Sequence, residues 1–234
     1  MLAKGGKAIF GALKFASLGK IALSSMSMLL MVWYEAVRYG VWYGIGFVFL
    51  LLIHELGHGY AIKAAGLEAG WPIFIPGFGA MINLRGRIPD ADTEARIAYG
   101  GPLAGMFASL ACAAVFMLGG SRLWLALAST GFMLNLFNLI PLSPLDGGRI
   151  AQAFSRKAWI FGLVLFVGLF FITKAPIMPI MLLFALPRIF AGTAGAHPEL
   201  TESQKSAWIN RYFALCVFLA LGFWFSMRLL GRAA

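Results

Sequence analysis

Two of the chain's three histidines stand four residues apart, with a glutamate beside the first, in Phe49-Leu-Leu-Leu-Ile-His54-Glu55-Leu-Gly-His58. On a helix, positions i and i+4 share a face with their Cβ atoms about 5–6 Å apart, so both imidazoles can ligate one metal ion. Glu55 projects about 100° further round the helix and leaves that ligand plane. It can still reach a water on the ion, which is where a general base belongs. The run around these residues is apolar. Burying an ionisable group in such a span costs at least a few kcal/mol, so it marks a functional site by default.

Two histidines leave a catalytic zinc site incomplete, because three protein ligands and one water are usual. Of the nine carboxylates, Glu68, Asp90, Asp92, Glu94, Glu199 and Glu202 are expected in loops. Glu35 falls near the end of an apolar run beside Arg38, where an ion pair explains it. Asp146 is different. It follows a break in an apolar run, Asn138-Leu-Ile-Pro141-Leu-Ser-Pro144-Leu-Asp146-Gly147-Gly148-Arg149. The prolines interrupt regular hydrogen bonding, and such backbone is tolerated at membrane depth only where it is buried or lines a wet cavity. Asp146 is thus a candidate third ligand, better placed than His197 in a polar stretch; capping a following helix is its alternative role. Asn135 and Asn138 precede the break, as amides that bond across helices or, for Asn138, as a donor to a developing oxyanion. Gly101 and Gly105 form a Gly-x-x-x-Gly that lets two helices approach closely.

These groups need a scaffold, and the composition says which kind. The 234 residues are 61% hydrophobic and only 12% charged, with a net charge of +10. Soluble domains average about 45–50% apolar and about 25% charged. That excludes a disordered chain, a nucleic-acid-binding domain and an ordinary cytosolic enzyme. The 19 Lys and Arg cluster between apolar runs, a pattern of membrane orientation rather than of a DNA groove. Cys112 and Cys216 lie inside apolar runs and read as buried hydrophobes.

About 20 apolar helical residues span a bilayer. Seven stretches qualify or nearly do, at 20–38, 39–64, 95–118, 122–142, 158–172, 175–189 and 207–229, the first two being separate or one bent element. The expected fold is therefore an all-α polytopic membrane bundle of six or seven transmembrane helices. A cytoplasmic N-terminus puts most Lys and Arg inside and leaves Arg38, Arg122, Lys174, Arg228 and Arg232 outside. Residues 1–19 carry Lys4, Lys7 and Lys14 beside Ile9, Phe10 and Leu13 and read as a basic interfacial helix, kept in the mature protein because no cleavage site follows. Residues 67–94 hold short apolar stretches bounded by Pro and Gly, the pattern of a membrane-associated β-hairpin. A single membrane domain over residues 1–234 is expected.

Taken in order, His54-Glu55-Leu-Gly-His58, Phe74-Ile-Pro-Gly-Phe-Gly-Ala80, Gly101-Pro-Leu-Ala-Gly105 and Asn138 to Arg149 resemble the site-2 protease family of zinc intramembrane metalloproteases. The likeness covers residues 46–149, which would be the catalytic core. It implies one Zn2+ per chain held by His54, His58 and Asp146, Glu55 as the catalytic acid–base, and Asn138 near the reacting carbonyl. It implies hydrolysis of peptide bonds in the transmembrane segments of membrane-tethered substrates, with the segment at 74–80 helping to hold the substrate as an extended strand. The PDZ and CBS modules of some members are not expected here. The multi-pass protein would sit in the cell membrane with its active site opening to the cytoplasm. The competing reading is a non-catalytic zinc-binding membrane protein, a transporter or sensor, which has no need of Glu55.

Overall fold

The computed structural model describes residues 25–75, 79–85, 87–155, 157–174, 178–179, 181–183 and 200–232. The interfacial segment expected at 1–19, most of the stretch at 175–189, and His197 lie outside the described residues. Helix α1 (25–39) ends at Gly40, whose φ of 95° a side chain would resist, so the first two apolar runs form separate helices. Helix α2 (Val41–Ala64) then packs back on α1. A Cβ at Gly44 would come within 2.6 Å of the Val32 carbonyl oxygen. Arg38 interacts electrostatically with Glu35, as expected, and has closer partners. Its guanidinium donates to the Tyr34 hydroxyl at 2.6 Å and lies over the Tyr34 and Tyr39 rings.

Helix α2 stops in a left-handed turn at Gly66 (φ 74°). There the N–H groups of Gly66 and Leu67 return to the carbonyls of Lys63 and Ile62 at 3.0 and 3.1 Å. Two antiparallel strands follow, β1 (Glu68–Ile75) and β2 (Gly79–Arg85), in a register that sets Phe74 against Ala80 and Ile75 against Gly79, with an irregularity between Ala69 and Pro72. Both strands pack on α2.

Helix α3 (Ala91–Met117) begins four residues before the stretch expected at 95, because Asp90 caps it: its carboxylate accepts from the Thr93 N–H at 2.7 Å. Asp92 and Glu94 therefore belong to the first turn of a helix and not to a loop, where their charge suits the helix dipole. Helix α4 (Arg122–Asn138) ends earlier than the stretch expected to reach 142, since the chain turns irregular ahead of Pro141. The short α5 (Asp146–Ala151), α6 (Ala158–Thr173) and the long α7 (Glu202–Arg232) follow.

One core, containing Leu50, Ala98, Phe132, Leu139, Ile150, Trp208 and Leu219, joins α2, α3, α4, α5 and α7. Outside it, Trp42, Phe49, Phe161 and Trp224 are exposed. Apolar surface on the outside as well as the inside of a helix suits lipid, not water. By length and composition α2, α3 and α7 can cross a membrane, while α6 is apolar but shorter.

Candidate metal centre

Helices α2 and α3 meet backbone to backbone at Gly57, between the two histidines. A Cβ at Gly57 would fall on the Gly100 carbonyl, and one at Gly100 would lie 2.7 Å from the Gly57 oxygen. That approach presses the His-bearing face of α2 onto α3. His58 and His54 are both buried, their rings 4.8 Å apart and nearly perpendicular. The His58 Nδ1–H donates to the Ile97 carbonyl of α3 at 2.7 Å. His54 Nδ1 lies 2.8 Å from Asn135 Oδ1 on α4.

Gly101 and Gly105 prove to make room for side chains. A Cβ at Gly101 would collide with His58 Nε2 and come within 2.8 Å of His54 Nε2. One at Gly105 would collide with the Asn135 amide. The Gly-x-x-x-Gly of α3 is thus a cradle for one site, with the helix approach carried by the neighbouring Gly57 and Gly100.

Asp146 reaches the same point from the irregular stretch between α4 and α5. It stands at the first position of α5, directly after the N-cap Leu145. Its Oδ2 lies 3.1 Å from His54 Nε2 and 3.2 Å from His58 Nε2. Its Oδ1 lies 3.9 Å from the Arg149 guanidinium, which also approaches Glu94 of α3 at 3.5 Å. The peptide Ser143–Pro144 is cis. A neighbouring element takes up a carbonyl that a regular helix would have bonded: the Tyr212 hydroxyl of α7 donates to Leu139. The Trp159 indole N–H of α6 adds a bond to the Gly148 carbonyl of α5 at 2.9 Å. Close packing finishes the stretch: a Cβ at Gly147 would meet the Leu139 carbonyl, and one at Gly162 the Pro141 carbonyl.

Three ligating atoms therefore converge, the Nε2 atoms of His54 and His58 and an oxygen of Asp146, all within 4.8 Å of one another and all on buried residues. Both Nδ1 atoms face oxygens, and ring protons placed there leave both Nε2 lone pairs to the centre. Three lone-pair atoms at 3.1–3.2 Å repel unless positive charge sits among them. Zinc with four ligands at about 2.0–2.1 Å spaces its donors by roughly 3.3 Å, so the donor set and its spacing fit zinc, with a fourth position left for water or substrate. Glu55 is buried beside this cluster in sequence, between the two ligand-bearing turns. Asn138 is half-buried at the last position of α4.

Asn135 bonds across helices, as expected of it, from α4 to His54 of α2. The sequence carried no signal for the contacts of Ile97, Glu94 and Arg149.

The profile of Peptidase family M50 matches residues 42–121 and 115–173. Zinc metalloprotease MJ0392 of Methanocaldococcus jannaschii is 32% identical over 114 residues, 47% of this chain. Rip3 of Mycobacterium tuberculosis is 34% identical over 134 residues, 52% of this chain. The match spans 33% of the length of each of these relatives. The solved site-2 protease from Methanocaldococcus jannaschii aligns over 80% of this chain and 84% of its own, with 22% identity and a TM-score of 0.43. With its family profile matched over more than half its length, and with helices able to cross a bilayer, the chain is a membrane protein that belongs to Peptidase family M50.

Proposed function

We propose that this chain is a zinc-dependent endopeptidase that cuts peptide bonds within the membrane-spanning segments of its substrates. The observation that carries the proposal is the buried convergence of His54, His58 and Asp146, with Glu55 on the same helix as the two histidines. A structural ion needs no adjacent acid, whereas hydrolysis does.

In this reading His54, His58 and Asp146 hold one zinc. Zinc supplies a Lewis acid that polarises the scissile carbonyl and makes water nucleophilic near neutral pH. Glu55 removes a proton from the attacking water and later delivers it to the leaving amine. Asn138 donates an amide N–H to the carbonyl oxygen as negative charge develops there. A helical substrate hides its peptide bonds in its own hydrogen bonds and must unwind to reach the site. Pairing an unwound segment with the edge of β2 would compensate the freed backbone groups.

The same reading takes residues 1–234 as one protease domain of six or seven spans. Residues 46–149 form its core, residues 67–94 a membrane-associated hairpin, and residues 1–19 an interfacial segment. The distribution of Lys and Arg supports a cytoplasmic N-terminus and a site opening to the cytoplasm.

Glu55→Gln tests the proposal, with zinc content and cleavage of a model transmembrane substrate measured on the same purified samples. The expected result is one zinc per chain in both proteins and cleavage lowered by about 10²–10⁴-fold in the variant. Undiminished cleavage in the variant, or a parent protein that retains no zinc, overturns it.

A further inference from the structure

We infer that Asn135 is a positioning residue that sets the tautomer and ring orientation of His54. The inference rests on the zinc reading above and deepens it. The Asn135 amide has one orientation available. Its Nδ2 donates to the Gly131 carbonyl of the preceding turn at 2.6 Å, and a flipped amide would set two oxygens against each other there. Oδ1 is therefore turned to His54 Nδ1 at 2.8 Å and can only accept, so the ring proton must sit on Nδ1. The lone pair of His54 is thereby left on Nε2, the atom that faces His58 and Asp146.

The surroundings suit this task. Asn135 is 2% exposed, so water does not compete for its acceptor. Gly105 of α3 leaves the space that the amide occupies. Helix α3 thus contributes at both shells, Gly101 clearing the ligand nitrogens and Gly105 clearing the group behind one of them. His58 is held differently, by the Ile97 backbone carbonyl, which no substitution removes. Outer partners of metal-bound histidines fix tautomer and basicity, and losing one typically costs about 10–100-fold in metal affinity.

The test compares the parent protein with Asn135→Leu, which keeps the volume and loses the acceptor, and Asn135→Asp, whose protonated carboxyl keeps an acceptor oxygen toward His54 and an O–H donor toward the Gly131 carbonyl. Zinc affinity is read by chelator competition, and the His54 tautomer of the metal-free protein by nitrogen NMR of 15N-histidine-labelled samples. The expected outcome is a 10–100-fold loss of zinc affinity and loss of the single Nδ1–H signature of His54 in Asn135→Leu, with both recovered in Asn135→Asp. Equal affinity and an unchanged tautomer in Asn135→Leu overturn the inference while leaving the zinc reading intact. A parent protein that binds no zinc overturns both. If Asn135→Leu does not fold, Asn135→Ala takes its place: the same losses support the inference, and undiminished affinity with an unchanged tautomer sinks it.

Discussion

The two regions that feed the candidate centre are built on opposite plans. On α2 a regular helix presents His54 and His58 through its own periodicity, and each ring then needs one outside partner, Asn135 or Ile97. Between α4 and α5 the chain leaves regular structure, and Asp146 is presented by a stretch whose Leu139 carbonyl depends on Tyr212 of α7. A helix satisfies its own backbone, so its side chains can be exchanged without loosening it. A break in low dielectric must borrow partners, and each one lost leaves a buried polar group unpaired. Substitutions should therefore separate into those that displace histidines on an intact scaffold and those that loosen the scaffold of the aspartate.

The largest effect should come from Gly101→Ala, where the two plans meet. The new methyl would collide with His58 Nε2 and approach His54 Nε2 to 2.8 Å, and it grows from helix backbone that is already packed on α2. Zinc affinity should fall by more than the roughly 100-fold upper range for loss of an outer partner. Gly105→Ala, aimed at Asn135 instead, should stay within that range. Metal titration of both variants checks the order, and equal losses would mean that the two glycines serve helix packing alone.

How much of this is legible in the chain follows the same division. His54 and His58 share a face because their spacing of four and one helix enforce it, so no tertiary information is required. The apolar runs announce α2, α3 and α7 for the same reason, since bilayer thickness sets a length that composition reveals. Asp146 stands out as a carboxylate at a proline break, but its 3.1 Å approach to His54 spans 92 positions and depends on how α2, α3 and α4 pack. Asn135 is no more conspicuous than Asn138 in sequence; which amide faces His54 follows from the rotation of α4 against α2. Glu94 looks like a loop acid until Asp90 is seen to start the helix beneath it. Gly101 looks like a helix-packing residue because the side chains it accommodates come from another helix.

A smaller effect, confined to the break, is expected for Tyr212→Phe. It removes only the hydroxyl that serves the Leu139 carbonyl, and both residues are buried. An unpaired buried carbonyl costs about 1–3 kcal/mol, so denaturant unfolding of the detergent-solubilised protein should show a loss of that size. The histidine tautomers, set on α2 by Asn135 and Ile97, should be unchanged in the 15N spectra of the metal-free variant. A shift of those signals would show that the two regions are coupled through the backbone and do not respond separately.

The smallest effect should come from Arg149→Leu. Its guanidinium stands 3.9 Å from Asp146 Oδ1 and 3.5 Å from Glu94, at the long end of ion-pair distance, and its side chain is 26% exposed. Partly solvated pairs of this kind contribute about 0.2–1 kcal/mol each. Converted to affinity, that is a loss of at most about fivefold for zinc if Arg149 merely steadies the carboxylate. The variant also removes the Arg149–Glu94 contact between α3 and α5, so if that contact is all that links Glu94 to the centre, Arg149→Leu combined with Glu94→Gln should lose no more zinc affinity than Arg149→Leu alone. A double variant that binds zinc much more weakly than either single one would mean that Glu94 acts on the centre by a second route. Helix α3 would then hold the aspartate side of the site as well as the histidine side.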